Sequence, residues 1–124
     1  MRRTPSTPLL AQCLDAQGVI DPRALADVFH THVEAVAALT GRTPRDLLDA
    51  SRSRTEVVQG PLSDLVTIID RLTPWCGHPV RAYAWYCSEP LPSFGNRTAE
   101  MLVKGGQFTA VLRYLDRIAD GGYT

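Results

Sequence analysis

Apolar residues recur at three- and four-residue intervals along most of this 124-residue chain, the spacing that gives a helix one apolar stripe. The cleanest instance is Phe108, Val111, Leu112, Leu115 and Ile118, and a second runs through Leu62, Leu65, Val66, Ile69 and Leu72. Shorter stripes predict a helix over "PRALADVFHTH", with Leu25, Val28 and Phe29 on one face, and another carrying Val33, Val36, Ala37 and Thr40. Between Pro79 and Pro90 the stretch places Val80, Tyr83, Ala84 and Cys87 on one side. Trp85 and Tyr86 point away from it, so this helix is apolar nearly all round and is expected to be sandwiched. Nothing suggests a strand of any length, and the expected fold class is all-α.

Glycine, proline and capping residues supply the boundaries. "LLAQCLDAQG" can form a short helix ending at Gly18, and Asp21 followed by Pro22 is a cap and first-turn pair. Thr31 is expected to cap the next helix and Gly41 to stop it. Thr43 and Pro44 restart a helix over "PRDLLDASRS", followed by a polar break at "RSRTEVVQGP". Thr98 caps "AEMLVK", which Gly105 ends. The organisation read from this is an arm and short helix over 1–20, a helix-turn-helix lobe over 21–74 and a C-terminal lobe over 75–124, sharing one core.

Composition narrows the class. With 44% hydrophobic residues the chain can build a core, and 13 basic against 13 acidic residues leave a formal net charge of zero. No global field draws it to nucleic acid or anionic lipid, so any DNA contact has to be local. No apolar run approaches the roughly 18 residues of a membrane span, and the expected location is the cytoplasm. Three cysteines, Cys13, Cys76 and Cys87, without C-x-x-C spacing, disfavour a disulfide framework or zinc ribbon.

Two constellations are candidates for function. In "VEAVAALTGRTPRDLLDAS", small Ala37 permits a close helix crossing, Gly41 allows a left-handed turn and Leu47 locks the second helix on the first. As a DNA reader this unit would present Thr43, Arg45, Asp46, Asp49 and Arg52 outward, with Arg42 or Arg54 on phosphates. As a plain helical hairpin it would present the same face to water, and the acids Asp46 and Asp49 favour that outcome. Catalysis is the other candidate: His30, His32 and His78, with Cys76 in "PWCGHP", match no zinc signature, and no nucleophile elbow or phosphate loop is present. The expected protein is a binder, not an enzyme, with no cofactor and no metal.

The C-terminal stretch "WYCSEPLPSFGNRTAEMLVKGGQFTAVLRYLDRIADGGYT" adds a resemblance. Its ordered Trp85, Pro90, Pro92, Phe94, Gly95, Thr98, Met101, Leu102, Gly106, Val111, Leu115, Ile118, Gly121 and Tyr123 are similar to the toxin-binding domain of the Xre/MbcA/ParS-type antitoxins. The Thr43-Pro44-Arg45 restart resembles the helix-turn-helix that members of this family carry upstream. Thr98-Ala99 stands where the family usually has Thr-Pro, and Arg42 where such turns are often apolar.

The resemblance implies the antitoxin of a type II toxin–antitoxin pair. It would occlude the active site of a RES-domain toxin that consumes NAD and, in a second role, repress its own operon. Toxin contacts would be Phe94, Arg117, Gly121, Gly122, Tyr123 and Thr124, with the tail entering the toxin's nucleotide cleft; read without the resemblance, the tail is an ordinary fraying terminus. DNA contacts would be Arg42, Thr43, Arg45, Asp49, Arg52 and Arg54. Trp85 is expected to be core, a fold determinant and not a contact. A homodimer, or a hetero-oligomer with the toxin, is the expected assembly. The alternative is a helix-turn-helix regulator whose C-terminal lobe serves dimerisation.

Overall fold

A computed structural model describes residues 12–119. Helix starts follow the local chemistry. Asp21 accepts from the Arg23 N–H at 3.0 Å and opens α1, Pro22–Val28. Helix α2, Val33–Thr40, ends at Gly41, whose left-handed φ of 70° favours a residue without Cβ. The cap position of α2 is His32 and not Thr31, and it makes no side-chain cap bond. Thr31 is used elsewhere: its side chain lies beside the Tyr83 phenol, and its N–H donates to the Ala26 carbonyl at 2.9 Å.

Thr43 and Asp46 form a reciprocal capping box that starts α3, Pro44–Leu48. This helix is shorter than its sequence suggests. Asp49 turns to an extended ψ of 124°, and its carboxylate accepts from the N–H groups of Ser51 and Arg52 at 2.9 and 3.0 Å, starting a 3-10 turn over Arg52–Arg54. The same competition cuts the first helix short. It ends at Cys13 instead of Gly18, because the Asp15 carboxylate takes the N–H groups of Gln17 and Val19 and folds the chain into a turn.

The second part of the polar break expected before Leu62, from Glu56 on, lies inside a helix. Helix α4 runs over Glu56–Cys76, 21 residues, and carries Pro61 and Pro74 within it. Pro61 falls four residues after exposed Val57, so the carbonyl left without its helical partner lies at a position water can reach. Then follow α5, Pro79–Ser88, a 3-10 turn at Pro92–Phe94, α6, Ala99–Lys104, and α7, Phe108–Ala119. The fold is all-α, and no strand occurs among the described residues, only isolated bridges at Leu14–Ile20 and Leu91–Arg97.

Helix α4 is the centre of the packing. Its predicted stripe of Leu62, Leu65, Val66, Ile69 and Leu72 is buried, and Val58 and Ile68 widen it. Helices α2, α5 and α7 lie against it, and the buried side chains form a single cluster. In α5 the buried residues are Ala82 and Tyr86, whereas Ala84 is exposed, so the side buried deepest is not the predicted stripe of Val80, Tyr83, Ala84 and Cys87. The reason is that α5 packs on two sides: Tyr86 enters the core, while Tyr83 stacks on Phe29 of the α1 end at 4.6 Å.

One side chain ties the N-terminal turn to α4. The Gln59 amide accepts from the Ile20 N–H at 2.9 Å and donates to the Ile20 and Ser53 carbonyls at 3.0 and 2.8 Å. A carboxylate of the same shape cannot donate and would face two carbonyl oxygens. Gln59→Glu is therefore expected to cost about 1–3 kcal/mol of stability, as a buried acceptor left unpaired does, read as a lower urea midpoint at unchanged slope. Leu65→Ala, which opens a cavity in the middle of α4, is expected to cost about 2–5 kcal/mol in the same measurement.

Candidate partner-binding groove

The helix-turn-helix geometry forms as its residues dictate: Ala37 and Leu47 are buried and Gly41 is left-handed. Its polar side chains, however, are largely engaged with one another. Thr43 caps α3, Asp49 caps the 3-10 turn, and Arg52 pairs with Asp46 at 3.5 Å. Arg54 donates to Gln17 Oε1 at 2.7 Å and pairs with Asp15 at 3.3 Å. Arg42 is half-buried, its Nε enclosed and without a hydrogen-bond partner among the described residues. Of the six predicted DNA contacts, Arg45 alone is exposed and outside these interactions. Helix α3, with five residues, spans only about 7.5 Å.

Backbone and side-chain bonds to Asp46 and Asp49 hold both carboxyls below their ordinary value of 3.8. The folded values are depressed, so this stabilisation is complete above that value and is lost as pH falls through the lower folded ones. Acid titration followed by amide NMR is expected to release the Ser51 and Arg52 N–H groups below pH 3.8 while the α4 core stays folded.

A larger concavity lies at the other end of the molecule. The C-terminal end of α4 supplies Leu72, Trp75 and Cys76, the end of α5 supplies Trp85 and Glu89, and the following loop supplies Pro90, Pro92 and Ser93. Helix α7 closes it with Tyr114, Arg117 and Ile118, giving a groove of about 600 Å³. Its shape follows from local structure. The loop is closed on itself: the N–H groups of Phe94 and Asn96 donate to the Leu91 carbonyl at 2.9 Å, and the Leu91 N–H donates to the Arg97 carbonyl at 3.0 Å. Leu91 anchors it in the core, and Gly95 and Asn96 take the positive φ values of 71° and 66° that reverse the chain. Thr98 then caps α6, accepting from the Met101 N–H at 3.2 Å.

On α7 the core side chains are Val111 and Leu115, while Phe108, Leu112 and Ile118 are half-buried. Phe94, a predicted contact, packs edge-on against Tyr114 at 5.9 Å and so positions a groove wall instead of lining it. Arg117, also a predicted contact, is exposed and lines the groove, with its guanidinium 5.8 Å from the Tyr114 ring centre. An Arg71–Asp116 ion pair joins α4 to α7 beside it. The predicted contacts Gly121, Gly122, Tyr123 and Thr124 lie outside the described residues.

Trp85 was expected to be core alone. It is half-buried, packing on the core and also lining the groove, because the end of α5 lies at the edge of the fold. Trp75 and Tyr114 were not anticipated. The available signal was an aromatic placed off its helix's apolar stripe, a costly position for a large ring unless something covers it.

The thiols are chemically quiet. Burial, aided by nearby carboxylates, pushes Cys13 and Cys87 up to about 11, and burial also raises Cys76 in the groove wall. At pH 7.5 the expected result is slow alkylation of all three by iodoacetamide in the folded chain and fast alkylation in urea, counted by mass spectrometry. Among the described residues no cluster of three or more His, Cys, Asp or Glu is arranged to hold a metal ion, and no helix is long and apolar enough to cross a membrane. Comparison with protein-family models, with curated proteins and with solved structures returned no match.

Proposed function

We propose that this chain is an antitoxin that binds a RES-type, NAD-consuming toxin through the face built by α5, the proline loop and α7. One observation supports the reading above others. Trp85, Pro90, Pro92 and Ile118, which carry the resemblance to the Xre/MbcA/ParS-type antitoxins, converge with Arg117 on one groove rimmed by exposed aromatic and charged groups. Aromatic and arginine side chains around a pocket are the usual anchors of a protein interface. Occlusion of a partner's active site asks no catalytic residue of this chain.

The test is co-expression with a RES-domain toxin from the neighbouring gene, reading cellular NAD with the full chain and with a version ending at Asp120. Protection by the full chain is expected. Protection lost on truncation assigns occlusion to residues 121–124; protection retained assigns it to the groove face. No protection by the full chain overturns the reading.

A DNA-binding regulator is the second reading, supported by the left-handed Gly41 turn between buried Ala37 and Leu47 and by exposed Arg45. Under it, Arg45→Glu with Arg52→Glu abolishes operator binding in a gel-shift assay; under the first, the same pair leaves NAD protection intact.

A further inference from the structure

Two of the three histidines read as candidates for chemistry meet in the fold. The rings of His30, just after α1, and His78, just before α5, lie with their centres 6.5 Å apart and their planes tilted by 50°. His30 closes α1 with a left-handed φ of 59°, its N–H donating to the Asp27 carbonyl at 3.1 Å. Glycine usually makes such a turn, because it has no Cβ to strain. A histidine at this position accepts strain and keeps an imidazole beside His78.

His78 is the cap of α5. Its Nδ1 accepts from the Val80 N–H at 3.1 Å, and its carbonyl accepts from the Arg81 and Ala82 N–H groups at 3.1 and 3.0 Å. Pro79 has no N–H, so the imidazole serves the one donor of the first turn that the carbonyl does not. That service needs an unprotonated Nδ1. A proton there turns the acceptor into a donor facing another donor, and it sets a positive charge at the positive end of the helix.

The surrounding groups do not offset this. Both rings are exposed, and no carboxylate among the described residues forms an ion pair with either, exposed Asp27 of α1 included. At the end of α4, Cys76 stays a neutral thiol because burial raises it, and Arg81 of α5 acts on that thiol as a fixed positive charge. Glu100 of α6 acts on Tyr83 and Cys87, further along α5.

We propose that His30 and His78 form a pH-sensitive latch between the end of α1 and the start of α5, closed by a neutral His78 and opened when the two rings are protonated. The cap contributes above the range in which an imidazole takes up its proton, roughly pH 5–8, and that contribution is lost as pH falls through it. His30 enlarges the loss, because a second positive charge forms 6.5 Å away on the neighbouring helix end. The next contact inward depends on the same junction. Tyr83, in the second turn of α5, stacks on Phe29, the residue before His30. Opening the latch therefore loosens the start of a helix whose far end lines the groove.

The test is amide NMR of the full chain between pH 8 and pH 5, with the ring signals of the three histidines followed alongside. As the His78 ring takes up its proton, the Val80 amide resonance is expected to move with it. Protection of that N–H against hydrogen exchange, corrected for the intrinsic rate, is expected to fall about 3- to 10-fold, the worth of one helix cap. Asparagine caps helices and does not titrate, so His78→Asn is expected to keep Val80 protected at both ends of the range. His78→Ala, with no side-chain cap at any pH, is expected to be weakly protected throughout. His30→Gly relieves the left-handed turn and removes the second charge, and a smaller response is expected to remain. His32→Gln, at a position that makes no side-chain cap bond, is expected to respond as the unaltered chain does.

A Val80 amide that neither shifts nor loses protection while the His78 ring titrates overturns the latch. An undiminished response in His78→Asn overturns it as well. A response in His30→Gly equal to that of the unaltered chain overturns the part assigned to His30.

Discussion

The burial of one long helix is the constraint on which the remaining structure depends. Helix α4 hides Val58, Leu62, Leu65, Val66, Ile68, Ile69 and Leu72, too wide a stripe for a single neighbour to cover. At about 1.5–3 kcal/mol for each large apolar side chain removed from water, leaving either flank open would be costly. The chain therefore returns to α4 repeatedly, with α2, α5 and α7 laid against it. The two prolines inside α4 are tolerated because this packing holds the helix even where its own hydrogen-bond ladder is interrupted.

The two ends of α4 serve different purposes as a result. At the N-terminal end Gln59 satisfies the backbone of the first turn and of the 3-10 segment, and the surrounding charged groups pair locally. That surface has spent most of its polar capacity on its own architecture. At the C-terminal end Trp75 projects beside Trp85 and Tyr114, and the donors of these rings meet no acceptor among the described residues. A surface whose polar groups are satisfied has little to gain from a partner. One that presents partly exposed aromatic rings around apolar walls gains burial when it is covered.

Much of the fold was legible in the sequence because helix periodicity and capping are local. The Leu62–Leu72 stripe, the Asp21-Pro22 and Thr43-Pro44 starts, the Thr98 cap and the glycine stop at Gly41 each depend on residues within a turn or two of one another. Errors arose where a side chain had two local options of similar strength. Asp15 and Asp49 could continue a helix or capture backbone N–H groups in a turn, and they took the turn. Thr31 could cap α2 or turn toward Tyr83, 52 residues away, and only the packing of α1 against α5 decides that. Tyr86 has a core role for the same reason, since sequence spacing gives the angular position of a residue on a helix but not what lies opposite.

The candidate site was half visible. Of the residues that line the groove, Arg117 was named as a contact and Pro90 and Pro92 as carriers of the resemblance, while Trp85 was read as core. Trp75 and Tyr114 lie 39 residues apart in sequence on different helices, and nothing local says that both line one groove. By itself the sequence determined the all-α class and most helix starts, because those follow from short-range geometry and side-chain chemistry. The tertiary structure alone decided which side chains among the described residues pair with one another and which line the groove. That distinction depends on contacts between distant segments, which no local pattern encodes.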